Sequence, residues 1–83
     1  MTNIQIEKFL QQNYLDKSPV KVSFKDRKPI VGIFITSADF SELKAKNFWR
    51  IVGEVNIENY RKSKDMNLAR MFSGSEFTRL SIP

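Results

Sequence analysis

The chain has 83 residues, 41% of them hydrophobic and 12% aromatic, enough apolar material for one small folded core but with little room for a second domain. Fourteen Lys and Arg against nine Asp and Glu give a net charge of +5, which favours contact with polyanions such as nucleic acid or an anionic membrane surface. Cysteine and histidine are absent, which removes disulfide staples, thiolate metal sites and the usual nucleophile and base sets, and a chain this short often gains stability by oligomerising.

In chain order, Thr2 followed by Gln5 fits a capping box, and Ile6, Phe9, Leu10 and Tyr14 recur at helical spacing, so a helix is predicted over about 3–15. Asp16, Lys17, Ser18 and Pro19 end it. Val20, Val22 and Phe24 alternate with Lys21, Ser23 and Lys25, the pattern of a half-buried strand over about 20–25. After a polar reversal, Ile30 to Ile35 is a continuous apolar run, predicted as a strand over about 29–36 with both faces covered or lying at a subunit contact. Gly32 interrupts this run, and glycine inside a strand marks a bend or a close approach by another backbone.

Residues 36–46, TSADFSELKAK, read as a polar loop with one possible helical turn, and NFWRIV as a strand over about 47–52 closed by Gly53. Residues 53–66 read as an extended excursion of weak strand character with a mobile basic tip. NLARMF and FTRLSI give strands over about 67–72 and 77–82, around a turn at Gly74. A helix and five short strands predict a single, mainly β domain over 1–83, a small and strongly bent five-stranded SH3-like barrel. No stretch has the length of a membrane span and the first residues lack a secretory pattern, so a cytoplasmic protein without a membrane partner is expected.

These residues resemble the Sm/LSm family, most closely its bacterial Hfq branch. The first motif is carried by Val20, Val22, Phe24, Ile30, Gly32, Phe34, Asp39 and Asn47, with Phe48 and Trp49 following, and the second by Ser73, Gly74, Phe77 and Leu80. Phe9 and Leu10 on a helix placed directly before a proline and a valine strand add to the likeness, which covers about 3–52 and 67–83. The resemblance implies an Sm-like sheet curved at the glycine, joined edge to edge through its fourth and fifth strands into a homo-oligomeric ring of six or seven copies. It also implies single-stranded RNA binding, without catalysis, at loops occupied here by Asp39, Phe40, Asn47, Ser73 and Gly74. This chain departs from the family at Ser73, where an arginine is usual, at Ala45, the usual stacking position, and at Gly74 and Ser75, where the Hfq branch has lysine and histidine. Its loop between Asp39 and Asn47 is about four residues longer than the family's.

Tyr60, Arg61, Lys62 and Lys64 form the densest basic cluster, and cations beside an aromatic suit a nucleic-acid backbone with a stacked base. The same residues also suit a solvated loop tip. Phe40 in a polar loop must pack down or await a partner, whereas Trp49 within NFWRIV reads as core or interface. Asp39 and Glu42 on one loop do not make a catalytic pair, so no enzyme activity, cofactor, metal or small-molecule substrate is expected. The alternative to RNA binding is a protein-interaction or scaffolding barrel that has lost the RNA pocket.

Overall fold

The computed structural model describes residues 1–12 and 14–83 and opens on the capping box. The Thr2 hydroxyl accepts from the Gln5 N–H at 3.2 Å, and the Gln5 side-chain carbonyl accepts from the Thr2 N–H at 3.0 Å, satisfying two donors that a helix start leaves orphaned. Helix α1 spans Asn3–Leu10, shorter than the predicted 3–15; Asn13, within the predicted span, lies outside the described residues. Asp16 supplies a reason for the early stop. It sits at φ 59°, donates its N–H to the Phe34 carbonyl at 2.8 Å, and accepts at its carboxylate from the Thr36 N–H at 3.0 Å and hydroxyl at 2.5 Å. Tying the chain to the sheet at that point replaces further helical turns with a local hydrogen-bonded turn.

The elements that follow are β1 (Val20–Phe24), β2 (Ile30–Phe34), α2 (Phe40–Ala45), β3 (Phe48–Gly53), α3 (Ile57–Ser63), β4 (Ala69–Ser73) and β5 (Phe77–Ser81). The strands form one antiparallel five-stranded sheet in the order β4-β3-β2-β1-β5. The fold is therefore mainly β with an N-terminal helix. The sheet is not closed into a barrel, because β4 and β5 lie at its two margins and pair with β3 and β1. Yet one 3-10 turn, Gly74–Glu76, joins those margins. Five strands laid flat would place the outer two about 19 Å apart, at roughly 4.8 Å per spacing. Four chain steps from Ser73 to Phe77 reach about 14 Å at most, so the connection requires a curled sheet. At the concave side the Phe24 and Phe72 rings stand 5.7 Å apart, linking β1 to β4 across the curl.

The curl encloses a core of Ile6 and Leu10 from α1 with Val20, Val22, Phe34, Trp49, Ile51, Phe72, Phe77 and Leu80. A second, smaller core lies on the convex face, where Ile33, Ile35 and Val52 meet Ile57 and Tyr60. The continuous apolar run of β2 is thus explained by period two: Phe34 faces one core while Ile33 and Ile35 face the other. Helix α3 provides the second cover, and it corrects the expectation of an extended excursion over 53–66. Ile57 and Tyr60, three apart, share one helical face, while Glu58 in the first turn and Arg61 and Lys62 in the last suit the helix dipole. Likewise α2 occupies much of the predicted polar loop. At Gly32, which pairs with Val20 and Gly53, a Cβ would run into the Val52 carbonyl oxygen and come within 2.8 Å of Ile51 Cγ2. Only a residue without a side chain lets β3 approach β2 this closely.

Candidate nucleic-acid interface

The α2-containing connection after β2 and the turn after β4 converge on Asn47. At φ 62° it holds a left-handed conformation that asparagine tolerates better than most residues. Its Oδ1 accepts from Trp49 Nε1 at 2.9 Å, its Nδ2 donates to the Met1 carbonyl at 2.9 Å, and its own carbonyl accepts from the Gly74 N–H at 2.8 Å. The Met1 ammonium completes the knot by donating to the carbonyls of Gly74 at 3.0 Å and Phe77 at 2.8 Å. Asn47 and Gly74 therefore meet, but their polar groups bind each other and the start of the chain. A Cβ on Gly74 would strike the Asn47 side chain and lie 2.6 Å from Ile6 Cδ1, so glycine is needed here for packing. Ser73 Oγ is 2.7 Å from Ser75 Oγ, and both hydroxyls are at the surface.

Asp39 accepts from Arg50 Nη2 at 2.8 Å and from the Ser37 hydroxyl. The Arg50 hydrogen bond foremost, with that of Ser37, lowers the Asp39 carboxyl from 3.8 to about 2. Arg50 Nε is buried without a hydrogen-bond partner among the described residues. Phe40 packs down: its ring meets Trp49 edge-on at 6.0 Å, with the Lys44 ammonium 5.7 Å from its centroid. Lys44 also pairs with Glu7 at 2.5 Å while its carbonyl accepts from Asn3 Nδ2 at 3.1 Å, fastening α2 onto α1. The connection between β2 and β3 thus leans against the N-terminal helix.

The basic cluster divides on inspection. Tyr60 is buried in the convex core, where desolvation and then the Asp16 charge raise its pKa, and its hydroxyl lies 3.9 Å from Met66 Sδ. Its ring is not open for a base, and Lys64 sits over it at 5.3 Å. Arg61 Nη2 donates to the Lys17 carbonyl at 2.6 Å, whereas Lys62 and Lys64 are exposed residues.

Another group is not evident from sequence. Arg27, in the β1–β2 turn, places Cζ 5.0 Å from the Phe24 ring centroid and 5.5 Å from that of Phe72, and Arg70 of β4 places its own 5.9 Å from Phe72. The alternation of Arg70 and Phe72 is the only local signal; the approach of Arg27, more than forty positions earlier, depends on the curl. Among the described residues there is no enclosed pocket, no cluster of His, Cys, Asp or Glu suited to a metal, and no helix long and apolar enough to cross a membrane. No protein-family model, curated protein or solved structure matches this chain.

Proposed function

We propose that the chain is an Sm-like, barrel-like module that assembles by pairing β4 of one copy with β5 of the next, giving a homo-oligomeric ring whose cationic surface binds single-stranded RNA. The strand order carries this reading: β4 and β5 are left as the two free edges of a curled sheet, and each presents unpaired backbone groups. Pairing them between copies satisfies those groups and closes the set by rotation. Exposed apolar side chains near these edges support it, with Met71 on β4 49% exposed and Ile82 just beyond β5 73% exposed. A ring also repeats a modest positive surface many times over, which raises avidity for a long polyanion. Since Asp39, Asn47 and Gly74 are engaged within the chain, RNA binding in this reading depends on exposed cations such as Lys62 and Lys64.

The test is fluorescence anisotropy with oligo(U) and oligo(A) alongside a measurement of oligomeric state. Salt-dependent binding by a closed oligomer is expected, and absence of binding at micromolar protein would reject the RNA reading. The knot of Met1, Asn47, Trp49 and Gly74 favours a second reading, a scaffolding module whose nucleotide pocket is filled from within. That reading expects assembly together with indifference to nucleic acid.

A further inference from the structure

The ring of Phe72 is only 8% exposed, yet two guanidinium groups converge on it, one from the β1–β2 turn at 5.5 Å and one from β4 at 5.9 Å. Arg27 also lies over Phe24, which packs against Phe72 at 5.7 Å, so the two rings form a continuous floor. Neither arginine forms an ion pair among the described residues: Asp26, adjacent in sequence to Arg27, and Glu76, whose carbonyl accepts from the Lys25 N–H, leave both uncompensated. Two cations held near one ring with no counter-ion among the described residues make a locally positive surface that favours an anion.

We propose that Arg27 and Arg70, resting on Phe24 and Phe72, form a clamp for the phosphodiester backbone of a single strand, indifferent to base and sugar. The inference rests on the nucleic-acid reading above and assigns it a place and a chemistry. Contact with a ring leaves a guanidinium's N–H groups available, and its planar fork matches two phosphate oxygens. Resting on the rings also restricts the side chain beforehand, so less conformational freedom is lost on binding. Because Phe72 is covered by protein and by the arginines themselves, no bare aromatic face is left there on which a base could stack. Recognition at this point is consequently of charge and phosphate geometry, and a DNA strand satisfies it as well as RNA does.

Short labelled oligo(U), oligo(A) and oligo(dT) titrated by anisotropy across a salt series test the clamp. The unaltered protein is expected to bind all three with affinities within about threefold, as a contact to phosphate alone requires. The double variant Arg27→Gln with Arg70→Gln should weaken all three on the order of tenfold at about 0.1 M salt and lower the salt slope by about 1.4, the share of two single-strand phosphate contacts. If that variant fails to fold, Arg27→Lys with Arg70→Lys serves instead: it keeps the charge and the slope, and losing the planar fork should cost several-fold in affinity. A variant that binds with unchanged affinity and slope overturns the clamp but leaves RNA binding standing. A large preference for one base, or for RNA over DNA, overturns its indifference. Failure of the unaltered protein to bind any strand overturns both readings.

Discussion

Replacing Gly32 with alanine probes the close approach of β3 to β2 at the middle of the sheet. The added Cβ meets a backbone atom, the Val52 carbonyl oxygen, together with Ile51 Cγ2 at 2.8 Å, and backbone in mid-sheet cannot swing aside as a side chain does. Overpacking of this kind costs about 1–3 kcal/mol. Against it stands the restriction of the unfolded chain when Gly becomes Ala, about 0.4–1 kcal/mol in favour of folding. The net expectation for Gly32→Ala is a loss of about 1–2 kcal/mol, a fall in Tm of about 5–15 °C for a domain of this size. Gly53, the cross-strand partner of Gly32, has no atom within 4 Å of its notional Cβ, so Gly53→Ala should be neutral or stabilising. Thermal denaturation followed by circular dichroism at one fixed protein concentration reads both, since self-association would otherwise shift the midpoints. A Gly32→Ala protein that melts at or above the parent temperature would refute the close approach of β3 to β2 and the reasoning built on it.

Other expectations follow from the same geometry. Asn47→Ala should cost about 3 kcal/mol in urea denaturation, because it removes the Trp49 and Met1 hydrogen bonds and strains a left-handed residue, while Asn47→Gly keeps the backbone and should cost about 1 kcal/mol less. Equal losses in the two variants would argue against the backbone contribution. For Asp39, the folded carboxyl is lowered from 3.8 to about 2, so the stability it contributes is present above 3.8 and disappears as pH falls towards 2. Urea melts should therefore show the stability gap between the parent and Asp39→Asn narrowing over that interval; a constant gap would place the carboxylate outside the Arg50 pairing. Met71→Lys, on a side chain 49% exposed, should change monomer stability by no more than about 0.5 kcal/mol yet weaken self-association, as seen by sedimentation. Unchanged association would move the interface away from β4.

Several parts of this architecture are legible in the sequence because they depend on neighbours along the chain. The Thr2–Gln5 cap and the alternation Val20, Val22, Phe24 are local, and they yield the leading helix and the mainly β character directly. Helix α3 is less legible, since Ile57 and Tyr60 give only one helical step of periodicity, and the face they cover is made by Ile33, Ile35 and Val52 from other strands. Tyr60 reads as a stacking candidate for the same reason: its burial is a property of the sheet beneath it. In the candidate site, Asn47 and Gly74 meet although 27 positions separate them, and the Met1 ammonium that binds beside them is more than forty positions from either. The arginines on Phe72 are likewise invisible until the sheet curls, and two isolated basic residues carry no signal in a chain with fourteen.

The central claim is that a curled sheet with two unpaired margins completes itself with further copies. Native mass spectrometry of the full chain tests it most directly. The account predicts a single closed species of fixed stoichiometry that dissociates to the 9.7 kDa chain only when the β4 edge is disrupted, as by Met71→Lys. A spectrum containing only the 9.7 kDa monomer at micromolar concentration would contradict it.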